Sequence, residues 1–95
     1  MNAPLSKSEA KKSLSQLESA WRLKDNKIRR EFKFNDFKEV ITFVNQVAGL
    51  AESANHHPNI HIFYNRVMIE LWTHAVKGLS KNDFILASKI EKVVH

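Results

Sequence analysis

Residues 60–72 read IHIFYNRVMIELW and carry the clearest periodic pattern in the chain. Apolar Ile60 and Ile62 alternate with their neighbours, and a second alternating run follows the polar pair Asn65-Arg66. Strict alternation is typical of a β-strand with one buried face. The polar pair predicts the turn between the two runs. We therefore expect a β-hairpin here.

The register of this hairpin follows from a two-residue loop at Asn65-Arg66, which sets Tyr64 opposite Val67. The further pairs then match apolar with apolar and base with acid: Ile62 with Ile69, Ile60 with Leu71, Phe63 with Met68, and His61 with Glu70. A slip by one residue would place Ile60 against Glu70, which favours the first register.

The same ladder, extended past Pro58, places His57 opposite His74, with His56 adjacent. Paired side chains in a regular ladder have Cβ atoms about 4.5 to 5.5 Å apart. The sequence therefore predicts that three histidines converge at one end of the hairpin.

The segment before residue 35 predicts a helix and a first hairpin. Ser6 is the expected N-cap and Glu9 closes a capping box, with helical periodicity to about Ala20. Residues 21–23 and 28–34 read as two strands around the polar turn 24–27.

Two further helices complete the pattern. Asn35 or Asp36 caps the second, whose apolar stripe continues through Gly49 to Ala54. Pro58 must stop it, because proline lacks an N–H donor and disfavours helical geometry in the preceding residue. Ser80 caps the third helix, with Asp83 at the N3 position.

The resulting order is α-β-β-α-β-β-α. Strands joined by hairpins form an antiparallel sheet, and helices with one apolar stripe each must cover one of its faces. The fold class predicted is α+β, a four-stranded antiparallel sheet with three helices packed on one face.

The composition bounds the function. A chain of 95 residues predicts one domain, 1–95, and the absence of cysteine excludes thiol catalysis and fits the cytoplasm. No apolar run is long enough to span a membrane. The net charge of +5 is scattered along the sequence, so nucleic-acid binding is not favoured. A small domain without disulfides is expected to form a homo-dimer or homo-tetramer.

Clustered imidazoles suit a reaction that delivers one proton and removes another near neutral pH, such as the elimination of water. A zinc or copper site is a second use of such a cluster, although no ligand motif such as HExxH is present. A structural pairing of histidines at a strand end is a third.

Two carboxylates near the cluster have both structural and functional interpretations. Asp83 is explained by the cap of the third helix alone. Glu52 lies one helical turn before His56, so it either orients that imidazole or is a solvated helix residue. His61 is the expected partner of Glu70.

One spacing pattern unites these residues: Glu52, three residues, His56-His57-Pro58, five residues, Tyr64, nine residues, His74, eight residues, Asp83. It resembles the signature of the pterin-4a-carbinolamine dehydratases, fixing seven positions over 32 residues. The similarity extends through Leu71-Trp72-Thr73-His74 and Gly78-Leu79-Ser80.

The resemblance implies dehydration of a 4a-hydroxytetrahydropterin to the quinonoid dihydropterin, in the recycling of a tetrahydrobiopterin-type cofactor, with no metal or organic cofactor. His56 and His74 would share the acid and base roles, His57 would bind substrate, and Glu52 and Asp83 would orient the cluster. Asn55, Trp72, Thr73 and Ala75 would line the pterin pocket. Some family members stabilise a transcription-factor dimer through their helices, which gives a non-enzymatic alternative.

Overall fold

The computed structural model describes residues 3–94. The elements in chain order are α1 (Lys7–Leu14), β1 (Arg22–Lys24), β2 (Lys27–Lys33), α2 (Phe37–Ala54), β3 (Asn59–Ile62), β4 (Arg66–Leu71), a 3₁₀ turn (His74–Val76) and α3 (Lys81–Val93). The strands form one antiparallel sheet in the order β1-β2-β4-β3. The predicted α+β fold and its element order are confirmed.

The core lies between the helices and one face of the sheet. Alternate residues of β2 and β4 point into it, so that Ile28, Val67 and Ile69 are fully buried. The helices contribute most of the remaining apolar side chains, which include Val40, Phe43, Val47, Leu86, Ala87 and Ile90. The opposite face of the sheet is free of helices, and most of its side chains are polar or charged, with Met68 among them as an apolar exception.

The predicted register of the second hairpin is wrong by two residues. Ile60 pairs with Ile69, and Ile62 pairs with Val67. The turn is centred on Tyr64-Asn65, closed by the Phe63 N–H donating to the Arg66 carbonyl at 2.9 Å. A shift of two keeps every side chain on its expected face, so apolar alternation does not distinguish the two registers.

The consequence is that the ladder does not set His57 opposite His74. Pairing of β3 with β4 ends at Asn59 opposite Glu70. His61 lies opposite Met68, and its ring reaches Glu70 diagonally, with Nε2 and Oε1 3.0 Å apart. The predicted contact between His61 and Glu70 is therefore confirmed, although the two residues are not directly paired.

The first helix ends at Leu14, six residues before the predicted end at Ala20. A tertiary contact explains the difference, because Glu91 Oε2 accepts hydrogen bonds from the Glu18 N–H at 2.6 Å and from Trp21 Nε1 at 2.9 Å. These bonds hold residues 18–21 against α3 and override the helical periodicity. The Ser6-Glu9 capping box is present as predicted.

The second helix runs through Gly49 without a break, as predicted, and its N-cap is Asp36. It ends at Ala54, because Asn55 adopts the left-handed conformation with φ 50° and ψ 43°. Asparagine tolerates this region better than most residues do. No helix within residues 3–94 is long and apolar enough to cross a membrane.

Candidate active site

His56 is held against a buried carboxylate. Its Nε2 lies 2.5 Å from Asp83 Oδ1, and the Asp83 side chain is completely buried while that of His56 is 12% exposed. A carboxylate oxygen accepts hydrogen bonds, so the imidazole nitrogen is the donor. This contact places a proton on Nε2 of His56 and leaves Nδ1 as the free acceptor of the neutral ring.

Asp83 is itself fixed on its other oxygen. Oδ2 accepts from the Thr73 hydroxyl at 2.9 Å and from the Ser80 backbone N–H at 2.9 Å. A threonine hydroxyl has one hydrogen, so the 2.7 Å contact between Thr73 and Ser80 is a bond that the Ser80 hydroxyl donates. Asp83, the acidic N3 member of the α3 capping box, is thus also the partner of His56, which unites the two interpretations of this residue.

The end of α2 brings His56 to this position. The left-handed turn at Asn55 reverses the chain, and the His56 N–H donates to the Ala51 carbonyl at 3.0 Å. Without that turn the helix would continue, and His56 would extend away from α3. The side chain of Asn55 makes no hydrogen bond within residues 3–94.

Glu52 contacts His57 and not His56. The Glu52 Oε2 and His57 Nε2 atoms are 2.5 Å apart, and the side chains are 77% and 57% exposed. Of the two interpretations left open for Glu52, the one in which it orients His56 does not match this contact, because His56 turns inward to Asp83 at the end of the helix. The exposed pair orients His57 at little energetic gain, since surface ion pairs contribute about 0 to 1 kcal/mol.

His74 stands on a short loop after β4. Thr73 and Gly78 form an antiparallel bridge, with the Thr73 N–H donating to the Gly78 carbonyl at 2.7 Å. Their pairing closes the loop that presents His74 on the surface. The His74 ring lies 3.9 Å from the Trp72 ring, centroid to centroid. Ala75 follows in the 3₁₀ turn and is exposed.

Thr73 connects His56 and His74, the two histidines to which the acid and base roles were given. Its hydroxyl reaches Asp83 and so supports His56, while its backbone leads directly into His74. Sequence analysis placed Thr73 in the site only as a pocket residue and gave Ser80 only a capping role. A hydroxyl residue just before a site histidine was the available signal, but its partner becomes visible only in the fold.

The arrangement offers acid and base groups, and no metal cage. Among residues 3–94, no three histidine, aspartate or glutamate side chains are grouped so that they could hold a metal ion. One imidazole is anchored by a buried carboxylate, one is exposed beside an aromatic ring, and one is exposed beside Glu52. Such groups can accept and donate protons around a bound heterocycle.

A protein family and several of its members have sequences similar to this one. A family model described as "Pterin 4 alpha carbinolamine dehydratase" matches residues 3–93. A protein of Nitrosomonas eutropha named "Putative pterin-4-alpha-carbinolamine dehydratase" is 44% identical over 91 residues, covering 96% of this chain and 80% of the relative. A Sulfolobus acidocaldarius protein of the same name is 39% identical over 89 residues, covering 94% of this chain and 97% of that relative.

Solved structures with pterin dehydratase in their names resemble this fold. A transcriptional coactivator/pterin dehydratase from Brucella melitensis has a TM-score of 0.92 at 35% identity, covering 97% of this chain and 99% of that one. A pterin dehydratase-like protein, a RuBisCO assembly factor in the alpha-carboxysome, shares the fold with a TM-score of 0.66 at 24% identity, covering 80% and 90% of the two chains. Because the family model and these relatives match over nearly the whole sequence, the chain belongs to the pterin-4-alpha-carbinolamine dehydratase family, whose named activity is that of a hydro-lyase.

Proposed function

We propose that this protein dehydrates a 4a-hydroxytetrahydropterin to the quinonoid dihydropterin by histidine acid/base catalysis, in the recycling of a tetrahydrobiopterin-type cofactor. The observation that carries the proposal is the contact between His56 and the buried Asp83 carboxylate. Such a contact fixes the position of an imidazole and the nitrogen that bears its proton. Family membership supplies the reaction class.

The elimination breaks the bond between C4a and the hydroxyl oxygen. One proton must reach that oxygen so that it leaves as water, and another must leave N5 so that the double bond from C4a to N5 forms. We assign the base role to His56. Its Nε2 donates a hydrogen bond to Asp83, so Nδ1 is the nitrogen that accepts the proton from the substrate. His74, on the neighbouring loop, then acts as the acid.

The remaining site residues bind or orient the substrate. His57, positioned by Glu52, is assigned to substrate binding. Trp72, Thr73 and Ala75 are assigned to the wall of the pterin pocket on the β4 side, and Asn55 to the α2 side. The protein is proposed to act in the cytoplasm, which the lack of cysteine in its 95 residues supports.

The direct test is stopped-flow measurement of 4a-hydroxytetrahydropterin dehydration with and without the protein. The wild type should accelerate the reaction, and His56→Ala should lower kcat by about 10² to 10⁴, the usual contribution of a positioned acid or base. Addition of a chelator should leave the rate unchanged. No acceleration by the folded wild type would contradict the proposal, and loss of activity with a stoichiometric metal would contradict catalysis by histidine alone.

A protein-interaction role through the helices is the second candidate. The Brucella melitensis neighbour is called a transcriptional coactivator as well as a pterin dehydratase. On this chain a groove of about 440 Å³ is lined by Phe34, Phe43, Val93 and Val94 among others. Ile85 of α3 is 53% exposed. This role would be favoured if the catalytically dead His56→Ala protein still functions in cells and the Ile85→Lys protein does not.

A further inference from the structure

The helix-free face of the sheet concentrates most of the net charge of the protein. Six basic side chains lie on it, against the carboxylates of Glu31 and Glu70: Arg22, Lys24, Lys27, Arg29, Lys33 and Arg66. The net charge of this face is therefore +4, out of +5 for the whole chain. Five of the six basic side chains lie within residues 22–33, and the alternation of the strands brings them onto one face together with Arg66.

Some of these cations are neutralised and others are not. Arg29 Nη2 lies 3.5 Å from Glu70 Oε2, and Arg66 Nη1 lies 3.4 Å from Glu31 Oε2. Among the residues that the structure describes, neither Lys24 nor Lys27 has a carboxylate within 4.0 Å of its ammonium. The only acid between them in sequence is Asp25, in the turn, which leaves this corner of the sheet positive.

The ammonium groups of Lys24 and Lys27 adjoin the candidate site. Lys24 and Lys27 are direct cross-strand partners. The Lys27 Nζ lies over Trp72, 5.0 Å from the ring centroid, and that ring contacts His74. A cation over an aromatic face is attracted to it but keeps its charge. A row of neighbouring side chains therefore runs from the positive corner of the sheet to His74, the acid of the proposed reaction: Lys24, Lys27 and Trp72.

Trp72 adds a second feature to this row. Its indole Nε1 is buried and has no hydrogen-bond partner within the described chain. The ring is thus held by its contacts with Lys27 and His74 and not by a polar contact of its own. A ligand that stacks against this ring would have the Lys27 ammonium beside it.

We propose that the substrate is a pterin with an anionic side chain, either a phosphate ester or a carboxylate, which Lys27 and Lys24 bind. The inference rests on the proposed function and names the substrate class of the same site. Lysine ammonium groups bind phosphate and carboxylate as point charges, and they contribute nothing to an uncharged polyol side chain. A site for a neutral pterin has no need of two unpaired cations beside it.

The test compares three 4a-hydroxytetrahydropterins: one with a neutral trihydroxypropyl side chain, its phosphate monoester, and one with a glutamate-bearing side chain. At low ionic strength the wild type should favour at least one anionic substrate about fivefold to tenfold in kcat/KM, mainly through KM, since each exposed ion pair contributes up to about 1 kcal/mol. Salt should reduce the preference. The favoured compound distinguishes phosphate from carboxylate.

Lys27→Gln should lower the ratio of anionic to neutral kcat/KM toward one, with Lys24 left to supply the remaining preference. Lys33→Gln is the matched control, because Lys33 lies on the same face at the other end of β2, opposite Arg66, and it should keep the ratio of the wild type. Equal kcat/KM for all three substrates, or a ratio that Lys27→Gln does not change, would overturn the inference while the dehydratase function stands. Failure to dehydrate any of the three would instead refute the proposed function.

Binding provides a readout that does not depend on turnover. The unreactive 7,8-dihydropterins with the same side chains are titrated by quenching of tryptophan fluorescence. The phosphate or glutamate compound should bind about fivefold to tenfold more tightly than the neutral one, and Lys27→Gln should reduce the difference. Equal affinities in the wild type would count against the inference even if dehydration is observed.

Discussion

The hydroxyl of Thr73 has a single hydrogen, and its donation to Asp83 makes this residue a support of His56. Thr73→Val keeps the shape of the side chain but removes that bond, while Thr73→Ser retains it. We expect Thr73→Val to lower kcat about tenfold or more and to shift the pH profile of kcat, because a hydrogen bond to a charged group contributes about 1.5 to 3 kcal/mol. Stopped-flow rates across pH measure both effects.

Rescue separates positioning from folding. Thr73→Ser should recover most of the lost rate and the pH profile of the wild type. NMR of the His56 ring should show altered chemical shifts in Thr73→Val alone. If the two variants lose activity equally with an unchanged pH profile, the Thr73 hydroxyl does not position the site.

His74 belongs to the cluster by its place on the loop after β4. Its proposed proton transfer can be tested by comparing its alanine variant with that of His61. His74→Ala should lower kcat by about 10² to 10⁴ with a stability change within about 0.5 kcal/mol, because His74 is exposed. His61→Ala is the control, since His61 is 46% exposed and contacts Glu70 in the same hairpin. Small and equal losses in the two folded variants would indicate a structural cluster.

At the scale of the element, sequence patterns predicted every helix and strand but not how the second hairpin is aligned. The alternation in residues 60–72 has a period of two, so it selects a face and leaves registers two residues apart equivalent. The turn at Tyr64-Asn65 decides between them. The convergence predicted for His57 and His74 depended on that register, whereas the contact of His56 with Asp83 depends on the end of α2.

The same hairpin contains a carboxyl group that responds to acid. The hydrogen bond from His61 lowers the pKa of Glu70 below its ordinary value of 4.5, and although burial opposes this, the charge of Arg29 lowers the pKa further. A lowered folded-state pKa means that the stabilisation is complete above pH 4.5 and is lost as pH falls through the folded-state pKa.

Urea unfolding of the wild type and Glu70→Gln checks this. At neutral pH the variant should be less stable by about 1 kcal/mol or less. The difference should shrink as the pH falls below 4.5, because Glu70 then becomes protonated, first in the unfolded chain and at lower pH in the folded protein. A difference that stays constant with pH would show that the ionised form of Glu70 has no part in stability.

At the scale of the molecule, β3 is an edge strand that ends in exposed apolar residues. Ile62, Phe63 and Tyr64 are 45%, 41% and 68% exposed, beside unpaired backbone groups of the strand. Exposed edges of this kind pair readily with a second chain. We expect at least a dimer, measured as the mass in solution by light scattering at micromolar concentration. A monomeric mass would contradict this expectation.

The charge distribution shows another limit of the sequence. Five of the six cations lie within residues 22–33 and the sixth is Arg66, but which of the lysines and arginines share a face follows only from the order β1-β2-β4-β3 and its register. A count of charges along the sequence therefore predicted the net charge but not the face of the sheet on which most of it lies. Likewise, the buried role of Asp83 required the packing of α2 beside α3, which no local pattern specifies.

Asp83 has one further consequence, for motion. Helix ends fray more readily than helix interiors, and the first turn of α3 is where the carboxylate that holds His56 is anchored. Whenever that turn opens, the Ser80 amide loses its acceptor and the imidazole loses its anchor together. The hydrogen-exchange rate of this one amide therefore reports how often the contact between Asp83 and His56 opens without unfolding of the chain, and the equilibrium of that opening sets the fraction of time for which the proposed site is intact.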